Sequence, residues 1–279
     1  MVSDIDRKFA SLQEIIRGLG SVLVAYSGGV DSTFLLKIAL DTLGAEKVLA
    51  VTATSATLPA EDRDHAVALA RSIGAYHTVV IANELDSPDF AANPTDRCYY
   101  CKKVRYDSFI KLQQELGIAH IVDGSNLDDL GDYRPGLKAT AELGVRCPLR
   151  EAGLRKSEIR ELARSLGLPN WDMPSQACLA SRFPYGTAIT EERLKKIDES
   201  EKFLRHLGFS PVRVRYHGDV ARIEVQQADI ARLLEHGTEV AAHIKKQGFT
   251  YVAVDVEGFR SGSLNETLKK GKKGEVNGF

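Results

Sequence analysis

The chain has 279 residues, 43% of them hydrophobic and 27% charged, which is enough for one generous core or two modest ones and unlike a fibrous or membrane-spanning composition. Lys and Arg number 37 against 38 Asp and Glu, so the net charge of −1 gives no overall field to attract nucleic acid, and no such partner is expected. The opening Met1-Val2-Ser3-Asp4-Ile5-Asp6 lacks the basic and apolar regions of a secretory signal, and no apolar run approaches the roughly 18 residues of a span, so a cytoplasmic protein without membrane contact is expected.

In chain order, an amphipathic helix runs from about Ile5 to Leu19. Val22-Leu23-Val24-Ala25-Tyr26 is a short apolar run ending in Ser-Gly-Gly, and Phe34 to Leu40 resumes with helical character. Lys47 to Thr52 reads as a strand, Glu61 to Ile73 as a helix and His77 to Ile81 as a strand. Arg105 to Leu116 is helical and Ala119 to Asp123 extended. This alternation specifies an α/β fold, a parallel sheet with helices on both faces and ligands beyond the carboxyl ends of its strands; Ser27 and Gly124 both fall at such ends. Leu154 to Leu166 is a basic amphipathic helix stopped by Gly167-Leu168-Pro169, and Trp171 to Gly186 then carries prolines and little periodicity. The domain junction is expected there. Residues 1–172 form the nucleotide domain and 173–268 a smaller α+β domain, with 269–279 a disordered tail. The second domain consists of a helix from Glu191 to Leu207, a hairpin of Val212 to Tyr216 and Val220 to Val225, helices through Asp229 to Gln247 and a strand from Tyr251 to Val256.

Ser27-Gly28-Gly29-Val30-Asp31-Ser32 follows the first strand. Two glycines let the chain turn sharply and bring backbone N–H groups to an anion, while the next helix points its positive end at the same place. The turn has no lysine. Pyrophosphate charge must be met by the hydroxyls of Ser27 and Ser32, by Mg2+ that Asp31 helps bind, and by basic groups elsewhere. Taken alone, Ser-Gly-Gly is more simply a strand-to-helix turn in which Asp31 or Ser32 caps the helix.

Context changes that reading, because Ser27 to Ser32 matches the SGGxDS signature of the PP-loop ATP pyrophosphatases. Val51-Thr52-Ala53-Thr54-Ser55 resembles that family's adenine-contacting segment, and Pro148-Leu149 with Lys156 to Ala163 and Leu166 to Pro169 resembles its late helix. The resemblance implies an adenine nucleotide alpha hydrolase-like fold that splits ATP to AMP and pyrophosphate as an acyl group is adenylated. It places phosphates and Mg2+ at Ser27, Gly28, Gly29, Asp31 and Ser32, with Asp31 catalytic, and adenine or ribose near Ser55 and Gly124.

Five further stretches, Asp123 to Asp129, Gly131 to Ala139, Ser181 to Gly186, Val212 to His217 and Gly258 to Gly262, resemble the LarE family, so that the similarity covers nearly the whole chain. LarE proteins are sulfur transferases that adenylate the carboxylates of pyridinium-3,5-biscarboxylic acid mononucleotide and convert both to thiocarboxylates, on the way to the nickel-pincer nucleotide of lactate racemase. The resemblance implies that small-molecule substrate, sulfide or a cysteine desulfurase as sulfur source, and a homo-oligomer.

The four cysteines are Cys98, Cys101, Cys147 and Cys178. In a cytosolic chain the Cys98-Tyr-Tyr-Cys101 pair reads as metal or redox chemistry, with zinc, a disulfide and small buried hydrophobes all open, while Cys147 before Pro148 reads as core. In one LarE type a single cysteine, at the position of Cys178, surrenders its own sulfur. A second type carries three cysteines, and by resemblance Cys98, Cys101 and Cys178 are expected to hold a [4Fe-4S] cluster through which sulfur passes.

A dicarboxylate mononucleotide needs cations. Arg213 and Arg215, two apart on a strand, share one face, and Lys102, Arg134 and Arg260 are further substrate-binding candidates, although a solvated strand face explains Arg213 and Arg215 equally well. Ser181 and Arg182 are placed near the adenylation centre or the cluster, whereas Glu201 and Asp229 are read as solvated acids. A tRNA thiolase with the same cysteine logic is the alternative enzyme, and a non-catalytic AMP sensor the alternative of another class.

Overall fold

Val22–Ala25, apolar and buried at all but its last residue, forms β1 inside a four-stranded sheet, and the site is arranged about its carboxyl end. The computed structural model describes residues 3–131, 135–174 and 177–266. Two compact units are present, Met1–Phe90 with Asp96–Ala177, and Ala91–Thr95 with Cys178–Phe279.

Up to Ser165 the elements in order are α1 (Asp4–Leu19), β1, α2 (Val30–Leu43), β2 (Val48–Thr54), α3 (Ala60–Ser72), β3 (Tyr76–Ile81), α4 (Pro88–Ala91), α5 (Arg97–Leu116), β4 (His120–Asp123), α6 (Gly136–Glu142), α7 (Pro148–Glu151) and α8 (Lys156–Ser165). The strands pair in the order β3-β2-β1-β4, all parallel. Alternation along β1 divides the core in two. Val22 and Val24 join Leu12 and Ile16 of α1, Phe34 and Leu36 of α2, Ala66 of α3 and Ile159 of α8; Leu23 faces Tyr106 and Phe109 of α5 on the other side. Helices therefore cover both faces, as the α/β pattern specifies. Because β2 and β3 lie to one side of β1 and β4 to the other, the crevice beyond the carboxyl ends of β1 and β4 is the topological switch point, where open α/β sheets bind ligands.

Helix α5 starts at Arg97, two turns before the apolar period that begins at Arg105. Its first turns are held by polar contacts, the Tyr99 hydroxyl donating to Glu142 at 2.7 Å and Arg97 being buried, so they leave no apolar spacing to read.

In the second unit α9 (Glu191–His206) packs on β5 (Arg213–His217), which pairs antiparallel with β6 (Val220–Glu224). Helices α10 (Ile230–Glu235) and α11 (Gly237–Lys246) lead to β7 (Tyr251–Val254), parallel to β6. Leu194, Ile197, Leu204, Phe209, Val214, Ile223 and Ile244 are all buried here. The unit starts at Cys178 rather than at residue 173, and it also takes in residues 91–95. Hydrogen bonds tie that segment there: the Asn93 side-chain amide donates to the carbonyls of Pro184 and Thr187 at 2.8 and 3.0 Å, and the carbonyls of Asn93 and Ala91 accept from Gly186 N and Ile189 N. Among the described residues no helix is long and apolar enough to cross a membrane.

Candidate active site

Strand β1 runs into the Ser27–Ser32 turn. Gly28 has φ +74°, and a Cβ there would lie 3.0 Å from Ala66 on α3, so conformation and space both require glycine. Within the turn Ser32 Oγ donates to Gly29 O at 3.1 Å, and Ser27 Oγ accepts from Gly29 N at 3.3 Å. Asn170, buried and beyond α8, fixes the turn from behind by donating its amide to Gly28 O at 2.9 Å and Thr33 Oγ1 at 3.0 Å.

The lysine absent from the turn arrives from elsewhere. Lys156, first residue of α8, places Nζ 2.7 Å from Asp31 Oδ2. Asn126 Nδ2 donates to the same oxygen at 3.4 Å, while Asp31 Oδ1 is buried with no partner among the described residues. Burial pushes the Asp31 carboxyl above the ordinary carboxylate range, and Lys156 pulls it back in part. Asp128 secures this wall by accepting from Lys156 N at 2.8 Å and Arg155 Nη1 at 3.0 Å. Gly124 completes it: a Cβ there would stand 3.0 Å from Ser32 N, so glycine is what lets β4's end lie against the start of α2. The turn, Gly124 and Lys156 thus converge on the switch point.

At the end of β2, Ser55 Oγ lies 2.9 Å from Thr57 Oγ1, which accepts from Arg105 Nη2 at 3.1 Å. Arg105 Nε also donates to Glu84, a carboxylate with no exposed surface. Cys98, exposed, and Cys101, half-buried, occupy the first turns of α5, and Cys101 Sγ donates to Glu84 Oε1 at 3.8 Å. Cys147 is wholly buried, and its thiol is pushed up to about 11 by that burial, with the nearby Asp123 charge adding, as a core cysteine requires.

Lys102 does not stand open to solvent: Nζ donates to Asp123 Oδ2 at 2.8 Å and Thr140 Oγ1 at 3.0 Å. Asp123 also accepts from the Tyr106 and Ser125 hydroxyls and from Ser125 N. Burial alone would raise this carboxyl, but the Lys102 charge and these donors outweigh it and hold it at about 2. A depressed carboxylate stabilises above its unfolded value near pH 4, and that contribution is lost as the pH falls through 2. Asp123→Asn is therefore expected to cost about 2–3 kcal/mol at neutral pH. Urea unfolding as a function of pH should show the gap from wild type closing between pH 4 and 2; a gap independent of pH would contradict this role.

The second unit carries Cys178 and the candidate arginines. Cys178 precedes a single 3-10 turn, Leu179–Arg182, whose last residue is buried. Arg182 donates to Cys178 O at 3.0 Å, to Ser181 Oγ at 2.9 Å and, in a fork, to both oxygens of Glu201 at 2.8 Å. Glu201, read from sequence as solvated, has no exposed surface and also accepts from Val214 N at 2.9 Å. Arg213 and Arg215 share one face of β5. Arg215 is nonetheless buried, bonding Glu224 at 2.7 Å, Ser181 O at 2.8 Å and Ser263 Oγ at 3.0 Å. Arg213 lies over the Phe259 ring at 5.3 Å, and Arg260 pairs with Glu257 at 2.9 Å and Glu266 at 3.3 Å, so the segment around Phe259 gathers these arginines beside β5. Arg134 lies outside the described residues. Among the described residues no group of three or more His, Cys, Asp or Glu side chains stands gathered as for a metal ion.

A strand, a Ser-Gly-Gly turn and a helix N-terminus at the switch point, completed by a lysine from a late helix, define a PP-loop domain of the ATP-using kind. Residues 7–95 match the family model for NAD synthase. The chain is 42% identical over 263 residues, 94% of its length and 95% of the relative's, to the pyridinium-3,5-bisthiocarboxylic acid mononucleotide synthase of Lactiplantibacillus plantarum. It is 43% identical over 268 residues to an uncharacterised protein of Synechocystis, covering 95% of this chain and all of that one, and 30% identical over 240 residues to one of Methanocaldococcus jannaschii, covering 86% and 91%. The chain belongs to the family of that synthase, the LarE family of ATP-dependent sulfur transferases.

Proposed function

We propose that this enzyme adenylates the carboxylates of pyridinium-3,5-biscarboxylic acid mononucleotide and converts them to thiocarboxylates, the sulfur-insertion step towards a nickel-pincer nucleotide. The observation that carries the reading is the convergence of the Ser27–Ser32 turn, Gly124 and Lys156 on one point, in a chain so similar to a synthase of that name. Oxide is a poor leaving group, so a carboxylate oxygen first attacks the α-phosphate of ATP and pyrophosphate departs. Sulfur then attacks the acyl carbon and AMP leaves. The turn's N–H groups and the Ser27 and Ser32 hydroxyls hold the phosphates, and Lys156 offsets the charge growing on pyrophosphate. Asp31 fits Mg2+, since its Oδ1 is a buried carboxylate oxygen without a partner among the described residues, a suitable hard ligand. Arg213 and Arg260 are assigned to the substrate's phosphate and carboxylates, and Arg215, expected from sequence to join them, is buried against Glu224 and assigned to holding Ser181 in place.

Cys98, Cys101 and Cys178 are assigned as thiolate ligands of a [4Fe-4S] cluster. Two thiols on the first turns of α5 suit one side of such a cluster, and when bound it supplies sulfur that free sulfide or a cysteine desulfurase renews. Cys98→Ala is expected to lose iron and acid-labile sulfide after anaerobic reconstitution yet still bind ATP. Equal iron in that variant would refute the ligand assignment, and loss of hydrogen sulfide from Cys178 after one turnover, read by intact mass, would identify sacrificial donation instead.

A further inference from the structure

One polar chain inside the first unit connects the Cys101 thiol with the carboxyl end of β2. Cys101 and Arg105 stand one helical turn apart on α5 and reach the same Glu84 oxygen, the thiol at 3.8 Å and the guanidinium through Nε. From Arg105 the chain continues to Thr57 Oγ1 at 3.1 Å and on to Ser55 Oγ at 2.9 Å. Glu84 sits on the 3-10 turn that leaves β3, beside the end of β2, where Ala82 N donates to Thr54 O at 2.9 Å. Its other oxygen, Oε2, is buried with no partner among the described residues. A buried carboxylate left half satisfied weakens a fold that an apolar side chain would serve as well, so stability does not account for it.

We propose that Glu84 and Arg105 are positioning residues that couple Cys101 to the nucleotide, so that ATP seated against Ser55 changes the setting of the Cys101 thiol. The inference rests on the reading of Ser55 as the adenine edge and of Cys101 as a sulfur ligand. An effector shifts a group only through contacts that differ between two states. Contacts that can be exchanged are present here, because Thr57 Oγ1 meets both Ser55 and Arg105, and Arg105 both Thr57 and Glu84. A nucleotide that engages the Ser55 hydroxyl alters the pairing of Thr57, then of Arg105, then of the carboxylate on which the thiol rests.

The test uses the reduced, iron-free full chain under anaerobic conditions. Alkylation of Cys101 and Cys98 by iodoacetamide is followed by fragment-ion mass spectrometry with and without Mg-ATP, Cys98 serving as the internal reference. In wild type, ATP is expected to change the Cys101 rate relative to Cys98 about fivefold or more, the lower end of ordinary coupling between sites. Thr57→Val, nearly isosteric, and Glu84→Gln are expected to lose that change while still binding ATP by equilibrium dialysis. The proposal is overturned if ATP binds wild type without altering the Cys101 rate, or if Thr57→Val keeps the full effect, as direct shielding by the nucleotide would produce. Should Glu84→Gln fail to fold, Thr57→Val decides alone. Failure of the cluster reading shows separately, as wild-type protein that takes up no iron, and leaves the alkylation result standing.

Discussion

Lys156→Ala is expected to slow substrate-dependent pyrophosphate release about 10²–10³-fold, the usual loss when one preorganised charge facing a developing anion is removed. The PP-loop turn carries no cation of its own, and Lys156 Nζ, 2.7 Å from Asp31, is the basic group that the structure brings to it. Its loss has a second effect. Burial already holds Asp31 above the ordinary carboxylate range, and Lys156 is the main group opposing that shift. Binding Mg2+ requires the ionised carboxylate, so activity falls as the pH drops towards the Asp31 value. In Lys156→Ala that acidic limb should move to higher pH, and in Lys156→Arg, which keeps the charge, it should move less. A pH profile of pyrophosphate release measures both. A Lys156→Ala rate close to wild type, with an unshifted acidic limb, would remove Lys156 from the site.

Glu201→Ala is expected to destabilise the second unit by about 3–5 kcal/mol, since it strands a buried guanidinium. That is a large share of the net stability of an ordinary domain, roughly 5–15 kcal/mol. Arg182 is forked onto Glu201 with both side chains out of solvent, and the same guanidinium holds Cys178 O and Ser181 Oγ. Burial raises the Glu201 carboxyl, but the Arg182 charge and hydrogen bonds outweigh it and leave it below its ordinary value. Its contribution is thus present above the unfolded value and lost as the pH falls below it. Replacing both partners, Arg182→Met with Glu201→Leu, is expected to recover much of the stability in thermal melts, because a packed apolar pair substitutes well for a buried ion pair. It is not expected to recover sulfur transfer, since the guanidinium's hold on Cys178 O and Ser181 Oγ is then lost. Full transfer activity in the double variant would show that the pair serves folding alone.

These two residues mark the limits of what the sequence discloses. The β1-turn-α2 unit was legible because an apolar run, two adjacent glycines and a helical period are all local, and the β5-β6 hairpin because its alternation is local as well. Lys156 was not, since its place at Asp31 depends on the packing of α8 against α2 across 125 positions. Glu201 looks like a solvated acid by residue type, yet Leu194, Ile197 and Leu204 recur around it at helical spacing, which puts position 201 on the buried stripe of α9. Arg215 differs again, because alternation sets it opposite the core-facing Val214 and Tyr216, and it is nonetheless buried, bonded to Glu224 of the neighbouring strand β6 and to Ser181 and Ser263 from distant parts of the chain. Residues 91–95 gave no sign of belonging to the second unit, because their tie runs through the Asn93 side chain and two backbone hydrogen bonds, from Gly186 to Asn93 and from Ile189 to Ala91, that join distant positions of the chain.

The most direct test of the account is to incubate the anaerobically reconstituted enzyme with ATP, Mg2+, sulfide and pyridinium-3,5-biscarboxylic acid mononucleotide, and to follow pyrophosphate together with the mass of the mononucleotide. The account predicts one pyrophosphate for each carboxylate converted and a product in which sulfur has replaced oxygen in both. Pyrophosphate release without sulfur in the mononucleotide, or no release with that substrate under conditions where ATP binds, would contradict it.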